Sequence, residues 1–490
     1  MIQVAARVQQ SPETAIELTR PTTASFTRPT ALLLDRVIFF GLLALIVVLA
    51  IPYGSVEAWW ESIFECVIFV FTALWIVKNL LNGSWQLDNF RLIAPLLVLA
   101  IFAYMQSRYW NGASASAGIE SYAWTAISAD PYETRRFVYK LLALILTGVL
   151  LQSHLTSRRR INALIGILVF TGVASAVFGI VRQTAQHDEG FLLTYLLPEQ
   201  GYAQFINRNH FAYLMEMIFG LALGIVVAGG VRRDRALIYI AAIIPVWTAL
   251  VLSNSRGGIG SLLSQVLFVA LMIGVVRRSA EEDYDEGFAT KLLRIGRSLF
   301  VRFALVSCLI ALMVVGIIWM GGDPLANRMG DLAADMSAAS PDDRTNQSRV
   351  EIWMATWRLI KAHPMMGSGF GAYGVAIPEF HDSSGELTPR EAHNDYLELV
   401  ANGGILAGLI GLWFALVFIK KAREELRHTD TYRRAVCFGA VIGIFGVATH
   451  SLADFGLHIT INAIVFTALV VMATMNWEGV EPLSPNESFH

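Results

Sequence analysis

One short stretch of this chain has the residue types for acid–base chemistry: Glu391-Ala392-His393-Asn394-Asp395-Tyr396-Leu397-Glu398. An apolar run over 399–420 follows at once. Imidazole takes up and releases a proton near neutral pH. A histidine at the lip of a membrane helix, fed by a long polar loop, could therefore serve as a general base. The acids Glu391, Asp395 and Glu398 could orient its ring, with Asn394 beside it. The alternative is a His-Asn pair that caps the helix or marks the membrane interface.

Three arginines stand where arginine is costly. Arg256, in Ser253-Asn254-Ser255-Arg256-Gly257-Gly258, lies at the outer junction of two apolar runs. Arg208, in Asn207-Arg208-Asn209-His210-Phe211, opens another run on the same side, and Arg349 opens an amphipathic segment of the polar loop. Charge near membrane depth is usually functional or paired. A guanidinium fork matches phosphate oxygens two at a time, so the three together could hold a diphosphate. Alternatively, each snorkels to the interface or pairs with a loop acid. The small residues around Arg256, which let a ligand approach, favour the first reading there.

Other constellations are weaker. His450, Asp454, His458 and Asn462 flank the last outer loop, but their spacing is not HExxH, and they fit a polar gate or substrate contact better than a metal site. Gly367-Ser368-Gly369 with a remote histidine has the residues of an intramembrane serine protease, yet this serine is expected in a water-exposed loop. The segment 367–372 lacks a preceding strand and no GxxxxGK[ST] occurs, which argues against nucleotide binding. Neither a metal nor a cofactor is expected.

The elements that position these residues are membrane helices. The chain has 490 residues, 55% hydrophobic and 16% charged, with mean hydropathy +0.53; soluble domains carry about 25% charged residues. A net charge of −2 argues against a nucleic-acid partner. Cys66, Cys308 and Cys437 all lie in apolar runs without a CxxC neighbour, so neither a disulfide framework nor a thiolate metal site is expected.

Spans of roughly twenty apolar residues fall near 35–52, 59–81, 90–106, 136–153, 161–181, 209–229, 236–253, 258–276, 299–320, 397–420, 434–452 and 459–476. The fold class is thus an all-α polytopic membrane protein with about twelve transmembrane helices. With the N-terminus inside, most of the 37 Lys and Arg residues fall in cytoplasmic segments, including Arg158-Arg159-Arg160 and Arg232-Arg233. The organisation that follows is a cytoplasmic tail (1–33), nine helices (34–320), a large outer loop (321–396), three helices (397–476) and a second cytoplasmic tail (477–490). The first thirty residues lack the apolar core of a signal peptide and read as a mobile tail.

Within the large loop, Val350, Trp353, Met354, Trp357 and Ile360 recur at helical spacing. Ser348 with Glu351 has a capping-box pattern, and Pro364 stops the helix. This helix is expected along the membrane surface with its tryptophans at the interface. Gly367-Ser368-Gly369-Phe370-Gly371 reads as a flexible turn after it.

Taken in order, Ser255-Arg256-Gly257-Gly258, Arg349 ahead of Trp353 and Trp357, His363-Pro364-Met365-Met366-Gly367-Ser368-Gly369, and His393-Asn394-Asp395-Tyr396-Leu397 ahead of Gly403-Gly404 resemble the O-antigen ligase and polysaccharide polymerase superfamily of bacterial inner-membrane glycosyltransferases. The tracts 207–212 and 450–455 are also similar, so the resemblance covers roughly 160–475; the region 1–160 carries no matching motif. It implies a metal-independent enzyme of GT-C-like helical fold in the bacterial inner membrane, working on the periplasmic side. The donor would be an undecaprenyl-diphosphate-linked glycan. The acceptor would be a saccharide hydroxyl of lipid A-core or of a growing polysaccharide. His393 would be the base, and Arg256 and Arg349 would hold the diphosphate with Arg208. Asn394, Glu398, Asp454, His450 and Asn209 would support them. Direct attack predicts inversion. A secondary transporter is the main alternative, and a scaffolding membrane protein a third. Transporters, however, tend to place polar residues at mid-membrane in broken helices of repeated halves, whereas here they gather at one face.

Overall fold

Lipid offers no partner for backbone N–H and C=O groups, so each long apolar run must close its own hydrogen bonds as a helix. The computed structural model describes residues 24–83, 89–108, 126–185, 201–278, 344–381 and 389–477, with 193, 196 and 480. Its helices are α1 (Ala24–Ala50), α2 (Ala58–Asn82), α3 (Phe90–Gln106), α4 (Pro131–His154), α5 (Arg158–Ala185), α6 (Arg208–Val227), α7 (Arg233–Leu252), α8 (Arg256–Arg278), α9 (Arg344–Ala362), α10 (Asp395–Leu426), α11 (Thr431–His450) and α12 (Thr460–Thr474). Each expected span falls on one of these, except 299–320, which lies outside the described residues. Among the described residues, eight helices are long and apolar enough to cross a membrane, while α3, α12 and the apolar part of α8 are shorter. Both tails, the charged loop 279–298 and the first part of the large loop also lie largely or wholly outside the described residues.

Helix α6 is the hub. Of its apolar stretch 83% is buried, against 22% in α7 and α10, and a helix apolar all round belongs in an interior. It packs chiefly on α11, glycine against glycine. A Cβ on Gly220 would lie 2.5 Å from the Gly443 nitrogen, and one on Gly224 would lie 2.3 Å from the Gly439 Cα. Small residues four apart on each helix let the backbones approach closely, the usual route to tight association in lipid. Gln265 of α8 ties both helices, donating to the carbonyls of Glu216 (2.9 Å) and Ile442 (3.0 Å). At the end of the bundle remote from His393, Lys78 and Arg160 bind Asp35, and Arg158 binds Asp430.

Helix α10 is broken where it meets the loop. Gly404 has φ +63° and ψ −164°, a region open essentially only to glycine. The break frees backbone groups, and the segment after α9 takes them up. Ser368 and Gly369 donate their N–H groups to the carbonyls of Ala401 and Asn402, both at 2.9 Å, while Ile405 N–H donates to the Pro364 carbonyl at 2.8 Å. Gln106 of α3 adds a bond to the Asn402 carbonyl at 3.0 Å. The stretch expected as a flexible turn is therefore an anchored patch over a helix break: Ser368 and Phe370 are buried. The loop helix α9 also starts earlier than its capping-box pattern suggested. It begins at Arg344, so Ser348 lies inside it.

Candidate active site

Asp454 is the meeting point. It lies in the turn between α11 and α12, only 1% exposed. Its carboxylate faces three other segments of the chain. Asn209 of α6 donates its amide to Oδ2. Arg349 of α9 approaches the same oxygen with Nη2 at 3.9 Å, and His393 Nδ1 lies 3.5 Å from Oδ1. The Phe455 N–H also donates to Oδ1, at 3.0 Å. Burial by itself would raise this carboxyl. The His393 contact and the neighbouring His450 and His210 imidazoles outweigh it and hold the carboxyl down at about 2, so it is an anion throughout the working range of pH.

His393 is held in place from both sides. Its φ is +49°, a left-handed conformation in which histidine is enriched but which carries strain of order 1–3 kcal/mol. Before it, Ala392 donates its N–H to Glu398 Oε2 at 2.9 Å and accepts from Trp353 Nε1 at 3.0 Å. After it, Asn394 caps α10 by accepting from the N–H groups of Tyr396 and Leu397, both at 3.0 Å, and donates to the Leu452 carbonyl at 2.8 Å. The next residue, Asp395, donates its N–H to the Ser451 carbonyl at 3.0 Å and accepts from Ser451 Oγ at 2.6 Å. The capping reading thus holds for Asn394, while the His393 ring is left 31% exposed. The acids expected to orient that ring do other work. Glu398 holds the Ala392 backbone, Asp395 holds the Ser451 turn, and Glu391 is half-buried, with burial pushing its carboxyl above the ordinary range. Asp454, sixty residues downstream, faces the ring instead.

The three arginines stand on separate helices, and of them Arg349 has its guanidinium against Asp454. Arg256 and Arg208 each open a helix, α8 and α6. Ser255, just before Arg256, donates to Asn209 Oδ1 at 2.8 Å, and Asn209 in turn binds Asp454. Just after Arg256, Gly257 fits where a Cβ would come within 2.3 Å of His450 Nε2. His450 is buried, stacked on Tyr213 with ring centroids 4.1 Å apart, and its Nδ1 lies 3.2 Å from Glu216 Oε2. Arg256 is thus flanked in the chain by one residue that binds Asn209 and another that packs against His450.

Four residues escaped the sequence reading. Trp353 looked like an interfacial aromatic but donates to the backbone of the His393 loop. Ser255 is the link from the Arg256 motif to Asn209. Glu216 is fully buried beside His450. Phe455 packs edge-on against His210, His393 and His458, with centroids 4.9, 4.8 and 5.7 Å away. Only Glu216 gave a visible signal, as an acid inside an apolar run.

Taken together, a partly exposed imidazole backed by a buried anion, with the Arg349 guanidinium beside it, can accept a proton and attract an anionic ligand. No curated protein matches the chain. Residues 240–412, about a third of the chain, match the family model described as O-antigen ligase, and this segment contains Arg256, Arg349 and His393.

Proposed function

We propose that the protein transfers a glycan from a polyprenyl-diphosphate carrier to a saccharide hydroxyl at the outer face of the bacterial inner membrane, as a ligase or polymerase of surface polysaccharide. The observation that carries this reading is the convergence of His393, Arg349 and Asn209 on the buried Asp454 carboxylate, in a chain whose residues 240–412 match the O-antigen ligase family model. A carboxylate only accepts, so it selects the His393 tautomer with the proton on Nδ1. Nε2 is then the nitrogen that takes the acceptor's hydroxyl proton. The acceptor oxygen bonds to the anomeric carbon. The bond from that carbon to the diphosphate oxygen breaks, and its electron pair leaves with the diphosphate.

Arg256, Arg349 and Arg208 neutralise the charge that grows on the departing group. No step of this scheme calls for a metal, because the guanidinium groups supply the positive charge. A single displacement inverts the anomeric centre. The 3.5 Å contact between His393 and Asp454 is longer than a hydrogen bond, and such contacts commonly tighten once substrate binds.

The test is reconstitution with a lipid-linked oligosaccharide and candidate acceptors. His393→Ala is expected to abolish covalent transfer while reaching the membrane at normal level, since general-base help is worth about 10²–10⁴-fold. A fully active His393→Ala protein refutes the assignment, and movement of the glycan across the bilayer without bond formation would favour a transporter.

A further inference from the structure

We propose that Lys140, on a helix outside the family match, is a positioning residue for this site, acting through the backbone of His458. The matched segment ends at 412, so both the Asp454 turn and the N-terminal helices fall outside it. Lys140 lies ten residues into α4 with its side chain only 15% exposed. An ammonium in an apolar helix needs partners, and Lys140 takes two. One is Glu61 of α2, at 2.5 Å. The other is the carbonyl of His458, which accepts from Nζ at 2.7 Å.

The acceptor carbonyl is well placed to control the site. Gly456–His458 is a single 3-10 turn between α11 and α12. Four residues before His458 stands Asp454. The His458 ring itself faces Glu398 Oε1 at 3.6 Å and Asp395 Oδ1 at 3.8 Å, the two acids that fix the backbone around His393. Two further ties join the turn's surroundings to the N-terminal unit: Thr460 Oγ1 donates to the Ser55 carbonyl at 2.8 Å, and a Cβ on Gly54 would come within 3.2 Å of Ile459 Cγ2. On the opposite side, Asn462 donates to the carbonyls of Gly456 (3.1 Å) and His210 (3.0 Å). The turn is thus stretched between α6 and the N-terminal helices, and Lys140 supplies the charged tie on the N-terminal side. The helices with no recognisable motif act as the brace that sets the Asp454 carboxylate against His393.

The activity arm of the test rests on the proposed transfer reaction; a structural arm does not. Full-length protein in nanodiscs is compared as wild type, Lys140→Met and Lys140→Arg. In Lys140→Met, amide hydrogen exchange over 454–460 is expected to rise about tenfold, with α6 unchanged. Turnover is expected to fall by about 10- to 100-fold, as misplacement of an acting group does, while KM stays within about threefold. Lys140→Arg, which keeps a charge and donors, recovers most of both. Unchanged exchange in Lys140→Met, a rise spread equally over α6, or an arginine variant no better than methionine each overturns the proposal. So does faster exchange with normal turnover. If wild type transfers no glycan, the proposed function fails while the exchange result still decides whether Lys140 braces the turn.

Discussion

Replacing Asp454 with asparagine isolates the electrostatic half of the proposed base. The change keeps the size and removes the charge, so the loss can be worked from geometry. The His393 nitrogen and the Asp454 oxygen lie 3.5 Å apart. A full imidazolium–carboxylate pair at that distance is worth about 5 kcal/mol at an effective dielectric of ~20 and about 1 kcal/mol in water. His393 is 31% exposed while Asp454 is buried, which places the effective value between the limits, at about 2–3 kcal/mol. Since 1.36 kcal/mol is tenfold in rate, turnover should fall by about 30- to 150-fold. Whichever way the asparagine amide turns, its NH2 meets donors, Asn209 and Arg349 on one side or the Phe455 N–H and His393 Nδ1 on the other, so recovery by rotation is poor. The assay is product formation from a lipid-linked donor, normalised to protein in the membrane. A linked measurement checks the sign with pH. The Asp454 carboxyl is depressed from 3.8 to about 2 in the folded protein. Its stabilisation is therefore fully present above about pH 4 and lost as pH falls toward 2. The difference in thermal stability between wild type and Asp454→Asn should be constant near neutrality and shrink across that acidic window. Turnover of the variant within about threefold of wild type, well inside the 1.36 kcal/mol that one decade represents, would refute the reasoning.

Three further outcomes are expected. Arg256→Ala and Arg349→Ala should each cut turnover severely, and Arg256→Lys should restore little because an ammonium lacks the planar fork; wild-type rates for Arg256→Lys would make Arg256 an interfacial anchor. Gly404→Ala should destabilise the protein by at least about 1–3 kcal/mol, because its backbone is left-handed and the added methyl would meet Met365 backbone atoms at 2.3 Å; an unchanged melting temperature in nanodiscs would contradict this. Impermeant cysteine labelling of intact cells should mark Ser340→Cys and spare Ser279→Cys, two positions outside the described residues; the reverse pattern overturns the outward-facing site.

Residue by residue, the sequence determined what depends on local chemistry. Hydropathy alone located α1 to α8 and α10 to α12, because in lipid a twenty-residue apolar run has no other way to pair its backbone. The spacing of Val350, Trp353, Met354 and Trp357 marked α9 for the same reason: a helical period is written within one turn. His393 and the three arginines stood out because their charge or titration is at odds with apolar neighbours. What the sequence did not reveal is which acid serves the histidine. Proximity along the chain favoured Glu391, Asp395 and Glu398, yet a helix carries its first-turn acids around the barrel and away from the residue before it. Glu398 ends on the Ala392 backbone and Asp395 on Ser451. Only the packing of α6 on α11, through glycines that permit backbone contact, brings Asn209 and the Asp454 turn to the same place. The break at Gly404 and its repair by 364–369 were equally invisible, because the freed carbonyls and the groups that satisfy them lie some thirty-five residues apart. Local periodicity thus decided the elements, and long-range backbone accounting in a medium without water decided how they meet.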